Sequence, residues 1–224
     1  MLKSVYTNTY NGVILMNSNS SEFSQYNVLS SNIMSRHSTR RFLPDPIPDH
    51  VIDGILEAGL LAPSSKNRQP WRITVLHEES IKGLVAAMST AISKEIANLD
   101  DDELINDHRM ALRTMEAIKS APVLLVIGYK DFRPYRNAKM MNTGMTDRSL
   151  VDTLSIGACI ENILLESAER GICSLWVGDY LYAYDAAMAY LRPDYDIVSM
   201  VALGHPAEEG WNRIPRCTDR IDYR

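Results

Sequence analysis

The segment from about Asp147 to Arg170 constrains the fold more than any other: its middle, Leu154 to Leu165, is apolar on most sides, and Gly171 stops it. A helix that is apolar nearly all round has to be buried, within the core or at a subunit interface. The rest of the chain must therefore cover it, and 224 residues are enough to do so as one compact domain.

Residues 1–24, rich in Asn, Ser and Tyr with little periodicity, read as a flexible N-terminal extension, and the domain proper as residues 25–224. A helix near Gln25 to Met34 leads into Arg36-His37-Ser38-Thr39-Arg40-Arg41. Pro44, Pro46 and Pro48 keep the next stretch extended. Val51, Ile52, Ile55, Leu56, Gly59 and Leu60 then recur at helical spacing over about Asp49 to Leu61. A polar loop, Ala62 to Trp71, precedes a strand over Arg72 to Leu76. Helices follow at about Ser80 to Leu99 and Glu103 to Ile118, with the acidic run Asp100 to Glu103 well placed at a helix start. Pro122 to Gly128 is nearly continuous apolar sequence, as in a central strand. Lys130 to Thr146 is a long loop, either a lid or pocket wall or a cap on the core. Strands at Cys173 to Val177 and Ile197 to Leu203 bracket a helix near Asp185 to Leu191, and residues 204–224 read as an extended arm that must lie on something.

If the helix before it continues, Arg36 and Arg40 stand one turn apart on one face, an arrangement suited to gripping an anion; the alternative is solvated surface. With 23 Lys and Arg against 28 Asp and Glu, and a net charge of -5, a long polyanion such as nucleic acid is not the general partner. The anion is then small and local. Three cysteines, Cys159, Cys173 and Cys217, lie far apart without zinc-ligand spacing, so no metal and a reduced, cytoplasmic protein are expected. Cys173 reads as a reactive thiol or as a small buried apolar residue. No apolar run approaches the roughly 20 residues needed to cross a bilayer. The run Val13 to Met16 is also far shorter than a signal-peptide core.

No Gly-x-Gly-x-x-Gly follows a strand, and no P-loop, His-Glu-x-x-His or Gly-x-Ser-x-Gly is present. The five histidines share no ligand spacing, so any chemistry has to be supplied by something bound. Four polar stretches could bind it. The Arg cluster suits a phosphate; Asn67 and Gln69 match the donors and acceptors of a heterocyclic edge; Ser38, Ser64 and Ser65 can serve hydroxyls. Leu175-Trp176-Val177-Gly178 ends a strand with a flat apolar wall and a closely approachable glycine. Each has a structural alternative: Ser64 and Ser65 as turn residues, Asn67 as a cap, Trp71 and Trp176 as core.

Taken in order, the stretches resemble the nitroreductase family of FMN-dependent oxidoreductases over roughly residues 30–220. The resemblance rests on Arg36 to Phe42, on Leu60 to Trp71 (Leu-Leu-Ala-Pro-Ser-Ser-Lys-Asn-Arg-Gln-Pro-Trp), on Gly157 to Leu165, on Gly171 to Gly178 and on Ala202 to Glu209. It implies an α+β fold with a central, mostly antiparallel sheet covered by helices. It also implies an intertwined homodimer, with one FMN at each end of the interface and the arm 205–224 wrapping the partner. By match of motif, Arg36, His37 and Ser38 with Arg216, or Arg213 in its place, would hold the phosphate region; Arg40, Pro63, Ser64, Ser65, Asn67 and Gln69 would serve the ring and ribityl chain; Trp176 and Val177 would pack on the ring, and the Gly178 N–H would face flavin N5. Ser155 stands where many relatives carry Asp, and Arg213-Ile214-Pro215-Arg216 leaves open which tail arginine is used.

The implied reaction passes hydride from NADH or NADPH through flavin N5 to a nitroaromatic, quinone or similar acceptor in alternating half-reactions. No catalytic side chain is required, because the cofactor carries the redox step. Lys66 and Arg68 are the cations that could attract the 2′-phosphate of NADPH. The same scaffold supports reductive dehalogenation, flavin fragmentation and ring dehydrogenation, and a flavin reservoir or redox sensor is the alternative without turnover.

Overall fold

The computed structural model describes residues 9–10, 13–14, 28–129, 147–207 and 222. Arg213, Arg216, Cys217, most of residues 1–24 and the loop Lys130 to Thr146 lie outside the described residues. In chain order the elements are β1 (Thr9–Tyr10), β2 (Val13–Ile14), α1 (Val28–Ser35), α2 (Asp49–Leu60), β3 (Trp71–His77), α3 (Glu78–Ile96), α4 (Asp102–Ser120), β4 (Val123–Tyr129), α5 (Asp147–Glu169), β5 (Cys173–Val177), α6 (Tyr184–Leu191) and β6 (Asp196–Gly204). Two 3₁₀ turns, Ser65–Asn67 and Asp179–Ala183, fall where the sequence carried no periodic signal.

β1 and β2 form a small ladder of their own, and the main sheet has the order β3-β4-β6-β5 with every neighbouring pair antiparallel. The apolar sequence of β4 explains the layering. Val123, Leu125 and Ile127 enter a core with α2 and α5, whereas Leu124 and Val126 enter a second core with α3, α4 and α6. Both faces are covered, so the usual in-out alternation of an antiparallel strand disappears. The result is a sheet sandwiched between two helical layers, the α+β architecture expected of the chain.

Local signals fix the ends of these elements. The Asp101 carboxylate accepts from the N–H groups of Glu103 and Leu104 at 2.9 and 3.0 Å, capping α4 as its acidic start suggested. Gly171 adopts φ +71 after α5, and Ile172 N–H reaches back to Ser167 O at 2.8 Å, a left-handed cap that suits glycine.

α5 buries Ile156, Cys159, Ile160, Ile163 and Leu164 against α2 and the sheet but leaves Leu154 66% exposed. A Cβ built on Gly157 would meet nothing within 4 Å. One face of this helix is therefore core, and one is open.

The Arg cluster departs from its expected shape. α1 stops at Ser35 and the chain turns extended, with Ser38 bridged in parallel to Ser174 and Phe42 bridged to Pro206. Thr39 N–H donates to Ser174 O at 2.9 Å, Leu43 N–H to His205 O at 2.9 Å and Ala207 N–H to Arg41 O at 3.0 Å. Burial of Thr39 and Phe42, and satisfaction of main-chain groups at the ends of β5 and β6, outweigh continuation of the helix. Arg36 and Arg40 consequently do not share a helical face.

Candidate functional site

The extended segment presents its cations differently from one another. Arg36 is only 23% exposed in its side chain; its Nε lies 3.8 Å from Glu161 Oε1, an ionic contact too long for a hydrogen bond. Arg36 Nε and Thr39 Oγ1 are both shut away from solvent without a hydrogen-bond partner. An unsatisfied buried donor of this kind is costly, and a charged one more so. His37 Nδ1 lies 3.1 Å from Ser35 O, while Arg40 and Arg41 are exposed. Ser35, Arg36, His37, Gly171, Cys173 and Ser174 line a cleft of about 200 Å³. Cys173 is partly buried at this cleft and is a free thiol.

The Ser64–Gln69 loop is held by its own side chains. Ser64 Oγ accepts from Gln69 N–H at 3.0 Å, and Gln69 Nε2 donates to Asn67 Oδ1 at 3.0 Å. Ser64 thus has the turn role, and the two amides are bonded to each other. With Asn67 Oδ1 engaged, the Asn67 N–H donors and the Gln69 Oε1 acceptor project from an exposed loop next to exposed Pro63. Ser65 N–H reaches Ser155 Oγ at 3.4 Å, and Arg68 bonds Asp152 through Nε and Nη2 at 3.2 and 2.5 Å. Arg68 is therefore committed inward and is not an exposed cation for a 2′-phosphate.

At the end of β5, alternation sends Leu175 and Val177 into the core with α3 and α4 and turns Trp176 outward. Val177 is 1% exposed, so its side chain is committed to packing. Gly178 has φ -98 and ψ -26, and a Cβ there would meet nothing within 4 Å. Asp179 accepts a hydrogen bond of 2.5 Å from Thr114 Oγ1, fixing the turn that follows.

α5 connects these parts. The loop attaches at Asp152 and Ser155, the Arg segment at Glu161. Six residues from Ser155 to Glu161 separate the two attachments by about 9 Å along the axis and about 120° around it. Within one chain, then, the Arg segment and cleft come together with β5, while the amide loop attaches to another side of α5. Thr39, Asp152, Ser155, Glu161 and Ser174 were not anticipated as site residues. Three of them carried a signal: Ser155 departs from the Asp of many relatives, and Asp152 and Glu161 are carboxylates on a helix with an apolar middle, where each needs a partner.

Among the described residues, no three His, Cys, Asp or Glu side chains gather where they could hold a metal, and no helix is long and apolar enough to cross a membrane. Cationic, amide and aromatic groups mounted on rigid elements around one central helix make this a ligand-binding α+β domain. The chain belongs to the nitroreductase family, whose model, described as "Nitroreductase family", matches residues 33–205. The Bacillus subtilis (strain 168) protein "Putative NAD(P)H nitroreductase YfhC" is 27% identical over 186 residues, covering 82% of this chain and 87% of the relative. A BluB-like flavoprotein from Clostridium difficile 630 superposes with a TM-score of 0.71 at 24% identity, covering 88% of this chain and 98% of its own. A nitroreductase with bound FMN from Bacteroides fragilis NCTC 9343 superposes with a TM-score of 0.68 at 22% identity, covering 89% and 100%. At such identities the two structural likenesses establish the fold.

Proposed function

We propose that the chain is an FMN-dependent NAD(P)H oxidoreductase that reduces a nitroaromatic, quinone or similar small acceptor. The observation that carries this reading is Arg36 Nε, a buried cationic donor without an acceptor at a cleft that the same residue lines. A phosphate would satisfy it with a charge-assisted hydrogen bond. FMN, when bound, supplies the two-electron step, taking hydride from NAD(P)H and giving it up to the acceptor in alternating half-reactions.

The chain's own residues bind and orient the group. Arg36 and Ser38, with His37 beside them, hold the phosphate, joined by Arg213 or Arg216 from the arm. Arg40, exposed, serves the ribityl chain or the pyrimidine edge as a permanent cation. Ser64, Ser65, Asn67 and Gln69 read the ring edge through the hydroxyls and the outward amide groups. Trp176 would give a flat wall, and the Gly178 N–H would serve the reactive nitrogen from a position where no side chain of the chain intrudes.

A homodimer completes the site. A cleft of about 200 Å³ takes the phosphate end but not a whole flavin. The amide loop attaches to α5 well away from that cleft, and the open face of α5 around Leu154 and Gly157 is an apolar surface for a second copy. The free thiols of Cys159 and Cys173 suit the reducing cytoplasm, where NAD(P)H is supplied.

Comparison of FMN with riboflavin tests the phosphate role. The intact protein should prefer FMN by about tenfold or more, and Arg36→Ala should cut that preference several-fold. Equal affinity of the intact protein for the two flavins would contradict the assignment.

A further inference from the structure

The bonds between the Ser64–Gln69 loop and α5 point to two residues outside the flavin-binding set that govern it. Lys66, Asn67 and Gln69 have φ of 52, 51 and 50, left-handed values that are uncommon for non-glycine residues, less so for asparagine, and unusual as a group within four residues. Their restraint has a physical source. Arg68, in the middle of these residues, places Nε and Nη2 on Asp152 Oδ1 at 3.2 and 2.5 Å. The Asp152 side chain is only 4% exposed and that of Arg68 21%, so the pair is a charge-assisted tether shielded from water. Asp152 sits on α5, whose following turns are packed into the core, so the tether leads from the loop to a core helix.

We propose that Arg68 and Asp152 are a positioning pair: they hold the loop in its left-handed conformation and so present Asn67 and Gln69 as a preformed donor–acceptor edge for the flavin ring. The proposal rests on the flavin function above. Neither residue touches the cofactor. Their effect is preorganisation, since a loop released from α5 would have to be ordered again on binding.

Stability and binding separate the roles. Arg68→Met and Asp152→Leu alone each strand a buried polar group or charge, and each should lower the Tm markedly. The double variant R68M/D152L replaces the pair by apolar side chains and should recover most of the Tm. Its FMN affinity, read by flavin fluorescence titration, should nevertheless stay about tenfold or more below that of the intact protein. The ratio of FMN to riboflavin affinity should be unchanged, because the phosphate end is untouched. A double variant with restored Tm and FMN affinity within about twofold of the intact protein would overturn the positioning role. So would a changed FMN-to-riboflavin ratio. If the double variant does not fold, Arg68→Lys keeps the charge and loses the fork, and it should fold normally yet bind FMN several-fold more weakly; unaltered affinity in that variant would also overturn the role. Intact protein that takes up no flavin would instead overturn the function itself.

Discussion

Trp176 Nε1 donates to Ser199 Oγ at 2.6 Å, and Ser199 Oγ donates in turn to Val177 O at 3.2 Å. The indole is thereby tied to β6 through its nitrogen while Trp176 remains 44% exposed. An aromatic plate held in place but left open is suited to stacking. Trp176→Ala should weaken FMN binding about three- to tenfold, the equivalent of about 0.5–1.5 kcal/mol of aromatic contact. The Tm should change little, and fluorescence titration with a parallel melt would check both.

Gly178 offers a cleaner separation of folding from binding. Its backbone is open to any residue, and an added methyl group meets nothing in the chain. Gly178→Ala should leave the Tm unchanged while lowering FMN affinity by about tenfold through obstruction of the close approach. Calorimetric titration alongside a thermal melt would measure the contrast.

Gly204 behaves in the opposite way. A Cβ there would stand 2.8 Å from both Phe42 Cδ1 and Pro122 Cδ, at the point where the Arg segment is fastened to the end of β6. Gly204→Ala should cost about 1–3 kcal/mol by overpacking. Chemical denaturation would give the loss, and FMN retention should fall with it because Phe42 anchors the residues that carry Arg36 and Ser38.

Burial raises the Cys159 thiol from its ordinary value of 9.0 to about 11 and the Tyr180 phenol from 10.0 to about 12. The folded protein thus keeps protons that the unfolded chain releases. Their contribution to stability is complete below pH 9 and is lost as the pH rises from about 9 toward 11 for Cys159 and from about 10 toward 12 for Tyr180. Melts between pH 8 and about 11 should show falling stability, with a shallower fall in Cys159→Ala.

The elements that sequence made legible are those with local causes. β4 could be read from an unbroken apolar run, α5 from its apolar middle and terminal Gly171, and α4 from its acidic cap. The backbone of the Arg cluster could not be read, because its extension is imposed by Ser174 and His205, far along the chain. The same holds for Arg68 and Asp152, which are 84 residues apart, so that a cation expected in solvent is in fact an internal tether. Helical spacing and surface charge are properties of short segments. Main-chain pairing at a sheet edge and a buried ion pair are properties of the assembled fold.

The most direct measurement is the visible spectrum of the purified protein, with and without added FMN, followed by NADH or NADPH without oxygen. A yellow protein holding releasable FMN in equimolar amount, bleached by the nicotinamide and restored by a quinone or nitroaromatic, is the expected result. A colourless protein that neither takes up FMN nor changes its spectrum on addition of NAD(P)H would contradict the proposed function.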